Sequence, residues 1–211
     1  FLQNYILKKV KQKLKLQLPK VKSSTIKDKQ KKQETGIEIG LGMFVKQAKN
    51  IILAVGSNLG NRQHNIEKSK YLINSNEKIK IISSSSYYRT DSWPNKKDPF
   101  FLNIVLKCIT TFNPSELFIL VKKIEKSLGR SKSYKNAPRI CDIDIIDYSQ
   151  KNILLSNIDL KIPHPRMHNR SFVLFPLFEI DKKWKHPKNN KKINQLLNNL
   201  PTTSLRSIKI L

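Results

Sequence analysis

The residues of this chain best suited to chemistry lie at 138–147, Pro-Arg-Ile-Cys-Asp-Ile-Asp-Ile-Ile-Asp. The isoleucine-rich run predicts a strand. Side chains two apart on a strand share a face, so Asp142 and Asp144 project together while Ile143 and Ile145 cover the opposite side. Neighbouring carboxylates repel unless a cation lies between them, and an all-oxygen donor pair suits Mg²⁺. Arg139, just upstream, adds a planar guanidinium. Metal carboxylates beside fixed guanidinium groups are what phosphoryl chemistry requires. The same pattern also fits an exposed edge strand with polar residues facing water. These ten residues alone leave both readings open.

The elements that would position such a pair can be read in order. Ile51–Val55 predicts a buried strand, running into Gly56-Ser57-Asn58-Leu59-Gly60-Asn61-Arg62, a tight turn with backbone N–H groups free for a ligand. A helix follows over Arg62–Ile73, then a strand over Lys78–Arg89 with Phe100–Ile109 as its antiparallel partner. The connection Thr90–Pro99 holds two prolines and a tryptophan, the composition of a binding loop. Asn113 caps a second helix with Pro114 at its first position, and Gly129 ends it after Leu128. Arg130–Ala137 is a basic loop, Ile162–Arg170 a polar one, and Ser171–Glu179 starts a final helix interrupted by Pro176. Strands and helices mixed in this way predict an α+β fold with one sheet and flanking helices.

Composition sets the outer limits. The chain has 211 residues, a net charge of +26 and 38% hydrophobic residues, enough for one well-buried domain and an appendage. Lysines crowd residues 1–50, where the reading is an amphipathic helix over Phe1–Val10, a Lys-Leu strand over Lys13–Leu18 and a short strand at Gly36–Gly40. Asparagine recurs as freely as lysine, the basic residues follow no helix face, and no zinc-finger, RNP or zipper pattern accompanies them. Drift toward Lys, Asn and Ile, as an AT-biased genome produces, explains the charge better than a nucleic-acid surface does. Cys108 and Cys141 are the only cysteines, as expected of a reduced, cytoplasmic protein. No run reaches membrane-spanning length, so no membrane partner is expected. The first residue is Phe, so a longer product is expected.

Four segments taken together resemble the 6-hydroxymethyl-7,8-dihydropterin pyrophosphokinase family. They are Gly-Ser-Asn-Leu-Gly at 56–60; Tyr88-Arg89-Thr90 with Phe101-Leu102-Asn103; Gly129-Arg130 with Pro138-Arg139 and Asp142-Ile143-Asp144; and Pro163-His164 with Asn169-Arg170-Ser171-Phe172. The likeness covers about 51–185. It implies a ferredoxin-like αβα sandwich around one central, mostly antiparallel sheet, and transfer of pyrophosphate from ATP to the pterin hydroxymethyl oxygen. It further implies that Asp142 and Asp144 hold two Mg²⁺ ions, and that Arg130 and Arg139 bind the transferring group. Glu125, Lys132, Arg139, Ile145, His164 and Arg170 would contact ATP. Thr90, Trp93, Phe101, Asn103 and Phe172 would form the pterin pocket, the two phenylalanines stacking on the ring and Asn103 reading its edge. For Glu125 the alternative is a solvated helix face.

The chain departs from the family pattern between Arg130 and Pro138, where it is one residue shorter and reads Lys135-Asn136-Ala137 in place of Arg-Trp-Gly; Tyr134 would have to stand in for the aromatic. Lys132 and Lys135 occupy positions where arginines are common, which keeps charge and loses bidentate geometry. Pro165 replaces an aromatic after His164. The expected consequence is in closure and affinity rather than in reaction type. Residues 1–40 resemble the end of dihydroneopterin aldolase, which implies a fused or associated aldolase; the alternative is a lysine-rich extension. The division expected is thus 1–50 as extension or aldolase remnant, 51–185 as the pterin domain and 186–211 as a C-terminal tail. Competing readings are a basic nucleic-acid-binding domain and a homologue that binds both ligands without turnover.

If the charge is compositional, binding to duplex DNA will rest on phosphate contacts alone and vanish at physiological salt. Fluorescence anisotropy across a salt series checks this; tight, sequence-dependent binding at that salt would establish the nucleic-acid reading instead.

Overall fold

A computed structural model of the chain describes residues 47–92, 95, 97–130 and 137–211. The helix, strand and aldolase expectations for residues 1–40, and the expectations for Trp93, Lys132, Tyr134 and Lys135, lie outside the described residues.

Strand β1 (Lys49–Ser57) sits near the centre of a six-stranded sheet, between β5 (Asp142–Tyr148) and β4 (Phe101–Thr110). Strands β2 (Ile79–Ser84) and β3 (Tyr88–Thr90) both pair with β4, and β8 (Ile208–Ile210) pairs with β3. Every pairing is antiparallel. The core order βαββαβ with strands arranged β5-β1-β4-β2 is ferredoxin-like, as expected. A separate hairpin of β6 (Ile153–Leu155) and β7 (Leu160–Ile162), unread in the sequence, follows β5.

Alternation along β1 explains the layers. Ile51, Leu53 and Val55 enter one core with Ile66 and Ile73 of α1 (Arg62–Asn74) and Leu117, Val121 and Ile124 of α2 (Pro114–Ser127). Ile52 and Ala54 enter the other, with Val173, Leu174 and Leu177 of α3 (Ser171–Ile180). The helix ends are built as their residue types predict. Asn61 Oδ1 accepts from His64 N at 3.0 Å to open α1. Asn113 and Glu116 form a reciprocal capping box on α2, and Gly129 closes it at φ +95°.

Three expectations are corrected. The strand expected over Lys78–Arg89 is broken, because Ser86 leaves the ladder: its N–H and hydroxyl donate to Glu179 Oε1 at 3.0 and 2.7 Å. Ser85 Oγ meanwhile replaces a backbone acceptor for Val105 N. The helix beginning at Ser171 is not interrupted by Pro176, since the neighbouring residues from Val173 to Phe178 are all buried and packing offsets the missing hydrogen bond. Nor is it the last helix. Residues 186–211 carry α4 (Ile193–Asn198), α5 (Thr202–Arg206) and β8, and Ile193, Leu196, Leu197 and Leu200 are buried against α3 and its core. No helix among the described residues is long and apolar enough to cross a membrane.

Glu179 is 6% exposed and accepts from Ser86 and from Tyr88 Oη, the latter at 2.8 Å. Tyr88→Phe leaves that buried carboxyl short of one donor. It is expected to lower stability by about 1.5–3 kcal/mol, measured by urea unfolding at neutral pH. A loss within about 0.5 kcal/mol would mean that the hydroxyl contributes little to holding β3 on α3.

Candidate active site

Three strands deliver the site at one end of the sheet. Gly56 of β1 pairs with Asn103 of β4 on one side and with Asp142 of β5 on the other. Ala54 likewise pairs with Asp144. Directly paired residues face the same side of a sheet, so Asn103 and Asp142 stand on either side of a residue without a side chain. The gap is required: a Cβ on Gly56 would lie 2.9 Å from Asn103 Oδ1.

The carboxylate face follows the period of two. Ile143 and Ile145 are buried in the core against α2, while Asp142 and Asp144 point away from it, each about one-quarter exposed or less. The strand begins at Asp142, later than the run from Pro138 predicted, and Arg139 precedes it. Asp142 Oδ1 accepts from Arg130 Nη1 at 2.7 Å and Oδ2 lies 2.9 Å from Arg139 Nη2. Asp144 Oδ2 accepts from Arg170 Nη1 at 2.7 Å and is 3.9 Å from His164 Nε2. Residues 130, 139, 142, 144, 164 and 170 are therefore brought together, as the sequence reading requires.

Burial would raise the Asp142 carboxyl, but the guanidinium groups of Arg139 and Arg130 bring it below the ordinary aspartate value. His164 is pulled below its ordinary value by burial, against the opposing pull of Asp144. It is therefore mostly neutral near pH 7. Arg130 is raised despite burial, because Asp142 and Glu125 both favour its charge.

Glu125 is not on a solvated face: it is 1% exposed. Its Oε1 accepts from Ile143 N at 2.7 Å and lies 2.5 Å from Arg130 Nη1, and Oε2 meets Lys122 Nζ at 2.9 Å. Burial raises its carboxyl above the ordinary value. Glu125 thus braces the start of β5 and aims Arg130. A cleft of about 280 Å³ opens beside these groups, lined by Phe118, Lys122, Asp144, Ile145 and His164 among others.

On the β4 side, Asn103 Nδ2 donates to Thr90 Oγ1 at 3.0 Å and to the Tyr88 carbonyl at 3.4 Å. A carbonyl only accepts, so the amide orientation is fixed and Oδ1 is turned to the Gly56 side. Phe101 lies under Arg139 and Phe172 under Arg170, each 5.4 Å from guanidinium carbon to ring centroid. The two phenylalanines expected to flank a pterin thus lie against two of the three arginines that hold Asp142 and Asp144.

Sequence reasoning missed Asn58. Read as part of a turn with free N–H groups, it is 1% exposed and its backbone N–H is spent on the Arg139 carbonyl at 3.1 Å. Only the tertiary approach of residue 139 makes that partner, and no local pattern signals it.

An all-oxygen pair of carboxylates with no third acidic, histidine or cysteine ligand close enough to complete a metal cluster among the described residues fits a hard divalent cation that keeps water and takes substrate oxygens. Arg139 Nε is buried without a hydrogen-bond partner among the described groups, which marks a donor still to be met.

Comparison with known proteins agrees with this geometry. The sequence model of the family described as 7,8-dihydro-6-hydroxymethylpterin-pyrophosphokinase matches residues 52–182. The chain is 37% identical over 128 residues to the 2-amino-4-hydroxy-6-hydroxymethyldihydropteridine pyrophosphokinase of Bacillus subtilis, covering 61% of this chain and 75% of that one. It is 36% identical over 145 residues to the Aquifex aeolicus protein of the same name, covering 69% and 88%. The folic acid synthesis protein FOL1 of Dictyostelium discoideum is 37% identical over 152 residues, 72% of this chain but 22% of that longer protein. Among solved structures, a Plasmodium falciparum HPPK-DHPS with pterin and p-hydroxybenzoate shares the fold at a TM-score of 0.60 and 17% identity, over 77% of this chain and 46% of that one.

The depressed Asp142 carboxyl fixes the sign of a pH effect. Its folded value lies below its unfolded one, so its contribution to stability is complete above the ordinary aspartate range, about 3.9, and is lost as pH falls through the depressed value. Asp142→Asn should therefore be destabilising at neutral pH, with the difference from the unaltered chain shrinking below about pH 4. Paired urea titrations across pH check this; a difference independent of pH would remove the charge from the explanation.

Proposed function

The chain belongs to the 7,8-dihydro-6-hydroxymethylpterin-pyrophosphokinase family, whose reaction is pyrophosphate transfer in folate biosynthesis with ATP as co-substrate, and we propose how its residues carry that reaction. The observation that supports the reading most is the pair Asp142 and Asp144, the first held by Arg130 and Arg139, the second by Arg170 and lining the cleft.

In the reaction the pterin hydroxymethyl oxygen bonds to the β-phosphorus of ATP, the bond from that phosphorus to the oxygen of the α-phosphate breaks, AMP departs and the hydroxyl proton is released. Arg130, Arg139 and Arg170 bind phosphate oxygens, because a planar guanidinium grips two at once. Asp142 and Asp144 would hold two Mg²⁺ ions, and bound Mg²⁺ neutralises phosphate charge and orients the attacking oxygen. These carboxylates and arginines pair with one another. Nucleotide and cation arriving together let each find a new partner, so neither group is left as an unpaired buried charge.

The nucleoside occupies the cleft between α2 and His164, against Ile145 and Phe118. Glu125 acts there through Arg130 and the Ile143 backbone rather than from the cleft lining. The pterin lies over Gly56, its ring between Phe101 and Phe172. Asn103 Oδ1 accepts from the amino edge, since its own N–H groups are already given to Thr90 and Tyr88. Trp93 and Lys132 remain part of the proposal from sequence. So do the pterin-domain limits of 51–185, a cytoplasmic location, and an aldolase remnant within residues 1–40. The last is supported by the sequence pattern alone; fused folate proteins do occur among the relatives, such as the folate synthesis bifunctional protein of Arabidopsis thaliana.

The test is release of AMP from ATP with and without 6-hydroxymethyl-7,8-dihydropterin. AMP should appear only with the pterin and a divalent cation, one per pterin diphosphate. Asp142→Asn and Asp144→Asn should each lower turnover by on the order of a thousandfold with an unchanged circular dichroism spectrum. Near-normal turnover in either variant would overturn the assignment of the pair, and absence of pterin-dependent AMP in the unaltered chain would overturn the function.

A further inference from the structure

Asn58 is a buried side chain that reaches both halves of the site. Its Oδ1 accepts from Arg139 N at 2.7 Å, and its backbone N–H donates to Arg139 O at 3.1 Å, so it clips residue 139 by both backbone groups. From the other end of the same amide, Nδ2 donates to Pro99 O at 3.2 Å and lies 3.5 Å from Ser92 Oγ. Ser92 Oγ itself donates to Pro99 O. Residues 92 and 99 are the ends of the connection that leads into Phe101 and Asn103, while 139 carries a guanidinium bound to Asp142. Asn58 itself is 1% exposed.

The amide orientation is fixed at both ends: Arg139 N–H only donates and the Pro99 carbonyl only accepts. Any displacement of residue 139 along this hydrogen bond therefore pulls the Pro99 carbonyl through a planar group with no internal torsion to absorb it. A rigid, fully satisfied link between two substrate-binding segments gives coupling a physical carrier.

We propose that Asn58 is a positioning residue that couples the nucleotide half of the site to the pterin half, so that occupation of one sets the backbone of the other. The inference rests on the reading of the site as one for ATP and a pterin. Its signature is a coupling factor: the ratio of pterin dissociation constants without and with a bound nucleotide. Couplings between sites commonly lie at about 5–150-fold.

Two substitutions separate the arms. Asn58→Asp keeps the acceptor for Arg139 N–H and turns a carboxylate oxygen, in place of a donor, toward Pro99 O. Asn58→Ala removes both arms. Calorimetric titration of 6-hydroxymethyl-7,8-dihydropterin is run with and without a non-hydrolysable ATP analogue and Mg²⁺, alongside the analogue alone and thermal unfolding of each variant. In Asn58→Asp the analogue should bind within about threefold of the unaltered chain while the coupling factor falls to within about twofold of one. In Asn58→Ala the coupling should be lost as well, with weaker analogue binding. Should either variant fail to fold, Ser92→Ala, which trims only the pterin-side arm, should lower the coupling factor. Variants that lower the melting temperature yet keep the full coupling factor would overturn the proposal and leave Asn58 a packing residue. So would an unaltered chain that binds both ligands independently, with the function intact. An unaltered chain that binds neither ligand would instead defeat the function on which the inference rests.

Discussion

Two like charges on the same face of one strand are the constraint around which this protein is arranged. Asp142 and Asp144 cannot stand together undischarged, and the strand that bears them must be rigid if they are to act as a unit. The first need is met from three directions by Arg130, Arg139 and Arg170. The second is met by burying Ile143 and Ile145 against α2, and by tying the Ile143 N–H to Glu125. Glu125 serves both needs, since the oxygen that takes the strand N–H also holds the guanidinium on Asp142. Burial pushes this carboxyl above its ordinary value, although Lys122, the Ile143 N–H and Arg130 all pull the other way.

The remaining architecture sets an amide and two aromatic rings beside that pair. Strand order β5-β1-β4 places Asp142, Gly56 and Asn103 in one row. Because adjacent strands lie about 4.8 Å apart, the carboxylate and the amide are separated by two strand spacings with only glycine between. That spacing leaves room for a flat ring over the middle strand. The opposite layer supplies the walls. Helix α3 opens at Ser171, setting Arg170 on Asp144 and Phe172 beneath that same guanidinium.

Much of this was legible in the chain because it is local. The face shared by Asp142 and Asp144, the cap at Asn113, and the glycine that ends α2 depend on residues within a few positions of one another. What was not legible depends on partners far along the chain. The break between β2 and β3 is made by Glu179, whose carboxyl draws Ser86 out of the ladder. Asn58 becomes a buried link only when residue 139 arrives. In the segment 186–211, lysines and asparagines mask Ile193, Leu196, Leu197 and Leu200, whose helical spacing fits the core under α3. Pro176 misled for the opposite reason: a strong local signal was overridden by burial on every side of the helix.

The arrangement also keeps a dense set of charges in place. Arginines gathered alone would repel one another, and the two carboxylates would do the same. Pairing the two sets holds both in position, since each supplies the other's counter-charge. Burial alone would raise Asp142, and the guanidinium groups of Arg139 and Arg130 more than reverse this, which favours the ionised carboxylate in a partly desolvated position. Neutral His164, beside Asp144 but outside direct hydrogen-bond range at 3.9 Å, adds no further cation to a cluster already rich in them. A few acidic residues, each set against an arginine, hold that cluster together.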